Sequence, residues 1–165
     1  MKKAIFGGSF DPPHVGHLEI IKQTLISLNI DKLLIVPAFL NPFKTQNVAP
    51  SHLRLKWLKE MTKNMPEVDV SSFEIDLNRP VTSIETVKHF EDEDETYFII
   101  GADNLAKLSS WHRFEELDTL VTWVVASRDN IKIPPRYKSL KVDKKISATQ
   151  LRQKVDEAYL DKDIA

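Results

Sequence analysis

The chain has 165 residues, a length typical of one domain, since domains usually contain about 100–200 residues. With 42% hydrophobic residues, 28% charged residues and a net charge of −1, it has the composition of a folded globular protein and not of a polycation that captures nucleic acid by charge. It contains no cysteine, which excludes disulfides, thiolate metal sites and cysteine nucleophiles. We therefore predict a single domain over residues 1–165, with Asp156–Ala165 as a solvated end.

The chain alternates apolar, β-branched runs with helical patterns, as is typical of an α/β protein. In chain order we predict strand Ala4–Phe6, helix Gly16–Leu28, strand Leu33–Val36, loop Pro37–Pro50, helix Ser51–Asn64, strand Val68–Ile75, helix Ser83–Phe90, strand Tyr97–Ile100, helix Ala102–Leu117, strand Leu120–Ala126, surface connection Ser127–Lys145, and a helix from Ser147 or Ala148 to Tyr159. The connections are long enough for right-handed crossovers between parallel strands. We therefore expect a Rossmann-like doubly wound, mostly parallel sheet with helices on both faces.

The amino-terminal residues lack an apolar run of signal-peptide length. No stretch of the chain approaches the roughly 20 apolar residues of a membrane span. We therefore expect a cytoplasmic protein.

Glycine is scarce, with four residues where an average usage of about 7% predicts about 12. They are Gly7, Gly8, Gly16 and Gly101. We expect each one where the backbone approaches another group closely or adopts a conformation that other residues resist.

Three of these glycines lie in the segment Gly7–His17, which joins the first predicted strand to the first predicted helix. At that junction of an α/β sheet a helix N-terminus offers unpaired N–H groups and a positive dipole to an anion. His14 and His17 are three residues apart, so within one helical turn their rings would project from the same face toward one phosphate. The segment therefore predicts phosphate binding.

Other interpretations of this segment are a simple turn after a strand and histidines that lie in the core or at the surface, and the pattern Gly-x-Gly-x-x-Gly is absent. The coincidence of all these features at the first strand-to-helix junction favours phosphate. A zinc site through His14 and His17 is less favoured, because there is no cysteine and the spacing is not His-x-x-x-His.

The segment Gly7–His17 resembles the nucleotidyltransferase superfamily, which carries a His-x-Gly-His element after its first strand, and within it the adenylyltransferases of coenzyme synthesis. The elements Gly101-Ala-Asp103 and Ser110-Trp111-His112-Arg113 are similar to those of the nicotinate-nucleotide adenylyltransferase family. This resemblance implies that Gly101 and Asp103 contact the ribose of ATP and that Trp111 stacks on the pyridine ring of the acceptor. From the residues alone, Trp111 could also be a core aromatic residue.

Further segments are similar to those of the superfamily. Ile146–Arg152 resembles its Ile-Ser-x-Thr-x-x-Arg element, although without the first motif these residues would favour a helix cap and a solvated arginine. Lys44, in the segment Asn41–Lys44, is a candidate to bind the phosphates. Arg54 is a less secure candidate, because arginine is common on helix surfaces. Thr82 and Ser83 lie where the family receives the nicotinate carboxylate.

The resemblance implies adenylyl transfer from ATP to nicotinate mononucleotide, which gives nicotinate adenine dinucleotide and pyrophosphate in NAD biosynthesis. It also implies Mg²⁺ held by the triphosphate, with no metal ligand from protein side chains. The expected catalytic residues are His14, His17, Lys44 and Arg152. The expected ATP-binding residues are Gly7, Gly8, Ser9, Phe10, His14, Gly16, His17, Gly101, Asp103, Ser147, Thr149 and Arg152. The expected acceptor-binding residues are Lys44, Thr82, Ser83, Trp111 and His112.

Three alternatives stay open. A sister adenylyltransferase would act on nicotinamide mononucleotide or on phosphopantetheine, and a cytidylyltransferase would carry a different first motif and C-terminal element. A noncatalytic nucleotide-binding module would bind ATP without turnover. We expect neither nucleic acid nor membrane as a partner, and the sequence does not indicate an oligomeric state.

Overall fold

The computed structural model describes residues 2–8, 10, 13, 15–39, 50–92, 95–127 and 133–140, without the side chains of Val15 and Asp103. Its strands are β1 (Lys2–Gly8), β2 (Lys32–Pro37), β3 (Val68–Val70), β4 (Glu95–Gly101), β5 (Thr122–Ala126) and β6 (Lys138–Leu140). Its α-helices are α1 (Val15–Ser27), α2 (Ser51–Met61), α3 (Phe73–Asp76), α4 (Ser83–His89) and α5 (Phe114–Leu120), and a 3₁₀ helix covers Ala102–Ser110.

The strands described form one parallel sheet in the order β3-β2-β1-β4-β5-β6. Side chains alternate between its faces, so that Phe6 packs on one side with Ile21 of α1 and Leu58 of α2. Ile5 packs on the other side with Ile84 of α4, with the 3₁₀ helix and with α5. The prediction of a Rossmann-like doubly wound sheet with helices on both faces is confirmed.

The direction in which strands are added to the sheet reverses between β1 and β4. β2 and β3 lie on one side of β1, whereas β4 to β6 lie on the other. In doubly wound sheets this switch point opens a crevice at the carboxyl ends of the strands. None of the helices in the described part of the chain has the length and apolar character that crossing a bilayer requires.

The predicted strand Val68–Ile75 is wrong in its second half, where the chain turns into α3. Ser71 Oγ accepts a hydrogen bond from the Phe73 main-chain N–H at 3.2 Å, and Ser72 donates to Asp76 at 2.7 Å. These local side-chain bonds compete with strand pairing, which the alternation of apolar residues does not reveal.

The predicted helix Ala102–Leu117 is two elements, the 3₁₀ helix and α5. Arg113 has a left-handed φ of 53° between them, which a continuous right-handed helix does not allow. The predicted strand Leu120–Ala126 starts two residues too early, because Leu120 still belongs to α5 and β5 begins at Thr122.

The predicted surface connection Ser127–Lys145 is also wrong in part, since it contains β6. Leu140 is buried there, and its carbonyl accepts a hydrogen bond from Ser127 N–H at 2.8 Å. Three residues with a single apolar side chain are too short a signal for a strand. The other predicted helices and strands differ from the structure by a few residues at their ends. Most of the predicted loop Pro37–Pro50 and the helix predicted to reach Tyr159 lie outside the described residues.

Candidate active site

The carboxyl edge of the sheet brings together glycines that are far apart in sequence. β1 and β4 are paired up to Phe6 opposite Ile99, and each strand then continues by two residues, to Gly8 and Gly101 respectively. The two glycines therefore end neighbouring strands at the switch point. This is the place at which an open α/β sheet binds a nucleotide.

None of the four glycines has a positive φ, so of the two reasons expected for them, close approach and an unusual backbone conformation, the second is wrong. Close packing explains Gly8, because a Cβ there would lie 3.4 Å from the ring of Phe10. At Gly7 and Gly101 a Cβ would make ordinary contacts of 3.8 Å, to Phe98 and to Asn104. Packing against these neighbours therefore does not require glycine at either position.

Phe10 forms an aromatic cluster with Phe6 and His17, which we call the Phe10 cluster. The Phe10 ring is buried, and it meets the Phe6 ring edge-on at 5.1 Å and the His17 ring at 4.8 Å between centroids. Its φ of 50° is rare for a bulky residue and strains the backbone. The side chain of Phe10, a residue predicted to bind ATP, is thus packed inside the protein. Phe10 could therefore contact a ligand only through its main chain.

The first turn of α1 lies at the same edge and is suited to an anion. It begins at Val15 and contains Gly16 and His17 but no acidic residue. The positive end of the helix dipole therefore meets no negative side chain within the turn. The sequence placed His17 here, whereas the prediction for His14 lies outside the described residues.

Arg54, in the first turn of α2, is fully buried, contrary to the expectation of a helix-surface arginine. Its Nη1 donates to the carbonyl of Ala38 at 2.6 Å, and its Nη2 donates to the carbonyl of Phe39 and to Ser51 Oγ, both at 3.0 Å. No local pattern of the sequence indicates this burial, because an arginine on a helix is ordinarily exposed and the carbonyls of Ala38 and Phe39 reach it only in the folded chain.

Four of the residues predicted to bind the acceptor lie on the other face of the sheet: Thr82, Ser83, Trp111 and His112. Thr82 stands immediately before α4 and donates to Glu85 at 3.3 Å, and Ser83 is the first residue of that helix. Trp111 is the residue that follows the 3₁₀ helix, and His112 beside it is exposed. The structure thus brings both acceptor segments to the α4 and α5 side of the sheet.

Trp111 is half-buried and packs edge-on against Phe98 and Trp123, with ring centroids 6.2 and 6.0 Å away. Its indole Nε1 is buried and finds no acceptor among the described residues. Trp111 is therefore partly a core residue, as the residues alone allowed, and its contact with a pyridine ring stays a prediction. Arg113, nearby, shares with Phe10 the rare left-handed backbone, so that both motif segments contain a strained residue.

Glu74 of α3 is a buried carboxyl that the sequence did not reveal. Thr86 of α4 donates a hydrogen bond to its Oε2. Burial raises the pKa of Glu74 to about 7, against the opposing effect of the Thr86 bond, and the charge of Glu85 raises it further. Glu74 therefore connects α3 to α4, the helix that begins with the predicted acceptor residues.

Several predicted site residues lie outside the described residues, and their roles stay predictions: Ser9, His14, Lys44, Ser147, Thr149, Arg152 and the side chain of Asp103. The Asp103 main chain is part of the 3₁₀ helix that follows Gly101. Within the part of the chain that the structure describes, no group of three His, Cys, Asp or Glu side chains is arranged to hold a metal ion.

Comparison with known proteins connects this fold to a family. The model of the family described as cytidylyltransferase-like matches residues 5–154. A protein of Sulfurimonas denitrificans described as a probable nicotinate-nucleotide adenylyltransferase is 52% identical over 98% of this chain and 90% of its own length. A Campylobacter fetus protein with the same description is 48% identical over 94% of this chain and 88% of its own.

The chain belongs to the nicotinate-nucleotide adenylyltransferase family. The family predicted from the motifs is therefore confirmed, and so is the prediction of an enzyme of the nucleotidyltransferase class. A solved structure supports the family fold: the nicotinic acid mononucleotide adenylyltransferase of Plasmodium falciparum, complexed with NaAD, has a TM-score of 0.76 at 21% identity over 95% of this chain and 85% of that one.

Proposed function

We propose that this chain transfers the adenylyl group of ATP to the phosphate of nicotinate mononucleotide, which gives nicotinate adenine dinucleotide and pyrophosphate. The observation that carries the proposal is the meeting of Gly8, Gly101 and the acid-free first turn of α1 at the switch point of the sheet. A triphosphate fits such an edge, because helix N-termini and close-approaching main chain bind phosphates.

In this reaction an oxygen of the acceptor phosphate attacks the α-phosphorus of ATP, and the bond from that phosphorus to the bridging oxygen of the β-phosphate breaks. The second pKa of a phosphate monoester is about 6, so at neutral pH the nucleophile is largely dianionic and requires no general base. The protein has to align two anions that repel each other and to offset the charge that develops on the leaving pyrophosphate. His17 and the first turn of α1 do this from the β1 side, and we assign the same role to His14, Lys44 and Arg152.

The acceptor lies across the switch point in this proposal. Thr82 and Ser83 hold its carboxylate at the start of α4, and Trp111 and His112 border its pyridine ring. The buried Nε1 of Trp111 supports this assignment, because an indole N–H without an acceptor in the described protein costs free energy until it finds one.

We also propose that Mg²⁺ enters with the triphosphate. The chemistry of the substrate supports this arrangement, because magnesium usually binds through substrate phosphates with one or two carboxylates and does not need a dedicated cage of protein ligands. When bound, the ion offsets phosphate charge. A cytoplasmic location and the absence of nucleic-acid or membrane partners stay predictions.

The deciding experiment compares pyrophosphate release from ATP and Mg²⁺ with three acceptors: nicotinate mononucleotide, nicotinamide mononucleotide and phosphopantetheine. We expect the highest kcat/KM with nicotinate mononucleotide, together with nicotinate adenine dinucleotide as the product identified by mass. Pyrophosphate release with phosphopantetheine alone would contradict nicotinate mononucleotide as the acceptor. ATP binding by calorimetry without release in any arm would indicate a noncatalytic nucleotide-binding module.

A further inference from the structure

Arg54 is fully buried, and a buried guanidinium is unfavourable unless its charge and its N–H donors are satisfied. Two of its three hydrogen bonds described above go to main-chain carbonyls, those of Ala38 and Phe39. Both carbonyls follow β2 directly, so their positions are restrained by the sheet. Arg54 therefore connects the first turn of α2 to the chain that leaves β2.

The same piece of chain is connected to β1. The N–H of Ala38 donates to the carbonyl of Gly8 at 2.8 Å, one step beyond the last paired residues, Gly8 and Pro37. The β1–β2 ladder therefore extends into the loops. The ring of Phe10 lies beside Gly8, where a Cβ would come within 3.4 Å of it, and this ring contacts the ring of His17. A continuous series of contacts runs from Arg54 to the His17 side of the site.

We infer that Arg54 is a positioning residue for the ATP side of the site, holding the main chain after β1 and β2 in one relative arrangement. It acts through Ala38 and Gly8 and does not contact substrate. This inference rests on the proposed function, because it takes the edge at Gly8 to be where the triphosphate binds. The acceptor side depends on α4 and the 3₁₀ helix, which Arg54 does not bind through any of the three hydrogen bonds described.

A purely structural role is the competing explanation, and Lys3 offers a matched control. Lys3 is also a buried cation that donates to a main-chain carbonyl, that of Phe90, at 2.6 Å, and its ammonium pairs with Asp92 at 2.6 Å. It lies near the amino end of β1, opposite to the candidate site. Loss of Lys3 should therefore destabilise the fold without changing how ATP is bound.

The test measures KM for ATP, KM for nicotinate mononucleotide and urea unfolding in four variants of the full chain. Arg54→Met removes every bond of the guanidinium, and Arg54→Lys keeps the charge but loses the planar fork that reaches two carbonyls. Ser51→Ala removes one acceptor of Arg54 and leaves the arginine in place. Lys3→Met is the control for lost stability.

We expect Arg54→Lys to raise KM for ATP about tenfold while KM for nicotinate mononucleotide stays within about twofold of the wild-type value. Ser51→Ala should raise KM for ATP by about twofold. If the Arg54 variants do not fold, this variant alone tests the inference. Lys3→Met should lower the urea midpoint and leave both KM values unchanged.

Equal increases in the two KM values, an unchanged KM for ATP in every folded Arg54 and Ser51 variant, or the same increase in Lys3→Met would overturn the inference. Failure of the proposed function gives a different result, because the wild-type chain itself would then release no pyrophosphate with nicotinate mononucleotide.

Discussion

The two sides of the sheet differ in how their buried polar groups are partnered. On the side of α1 and α2, Arg54 is bonded to carbonyls, and the hydroxyls of Thr24 and Thr62 donate to Ile20 and Leu58 at 2.7 and 2.9 Å. On the side of α3 to α5, the Glu74 carboxyl is buried with a raised pKa, and the Trp111 indole has no acceptor among the described residues.

The difference suggests two ways of building one site. The side that we assign to ATP is held by bonds already formed within the protein, which favours a fixed arrangement for a charged reaction. The side that we assign to the acceptor keeps polar groups whose free-energy cost depends on pH or on a new partner. The four predictions below test this contrast.

The largest effect is expected from Phe10→Ala. Because the ring is buried between Phe6 and His17, its loss should lower the free energy of unfolding by about 3–5 kcal/mol, measured by urea denaturation. Phe73→Ala is the control from the other side, since Phe73 is half-buried and stacks on His89. An equal loss in both variants would show that the Phe10 cluster contributes nothing particular to the fold.

His17→Ala should lower kcat by about 10²–10³, as is typical when one donor to a developing negative charge is removed. The fold should persist, which a thermal unfolding curve would show. The control is His52→Ala, because His52 is exposed on α2 and should be dispensable for turnover. Turnover near the wild-type value in a folded His17→Ala protein would refute the role of this residue.

Glu74→Gln should remove a pH dependence of stability. In the wild type the folded state keeps the Glu74 proton up to about pH 7, whereas the unfolded state loses it near 4.5. Stability therefore falls as pH rises through this window, by roughly 2–3 kcal/mol, and Glu74→Gln should be the more stable protein above it. Urea unfolding at pH 5 and pH 8 measures the difference.

Glu85 provides a control of opposite sign for Glu74. Arg79 hydrogen-bonds to Glu85 and lowers its pKa, so this pair adds stability above the unfolded pKa that is lost as pH falls. Glu85→Gln should therefore cost stability at pH 8 and not at low pH. A Glu74→Gln protein with the wild-type pH profile would mean that Glu74 is ionised in the fold.

The smallest effect on stability is expected from Trp111→Phe, within about 1 kcal/mol of the wild type, because removing an unsatisfied donor offsets the lost ring area. Trp123→Phe should cost about 1–3 kcal/mol, because the Trp123 indole donates to Asp118 at 2.7 Å. KM for nicotinate mononucleotide should rise with Trp111→Phe and stay unchanged with Trp123→Phe. Equal costs in unfolding would contradict the difference between the two indoles.

Much of the fold follows from local patterns in the sequence. Strands such as Tyr97–Ile100 are apolar runs, which indicate a buried strand without any knowledge of the strand that pairs with them. β6 was missed because its three residues become a strand only by pairing with β5, and α3 was missed because two serines redirect an alternating pattern. The family and the His17 position came from a motif, whereas Glu74 carries no local sign of burial.

By itself, the sequence determined the doubly wound class, the family and the two glycine-containing ends that form the candidate site, because periodicity and motif spacing are properties of neighbouring residues. Only the tertiary structure showed that Gly8 and Gly101 end adjacent strands, that the left-handed backbone within the two motif segments belongs to Phe10 and Arg113 and to no glycine, and that Arg54 is buried. The physical reason is that burial and pairing depend on contacts between segments distant in the chain, which no local pattern encodes.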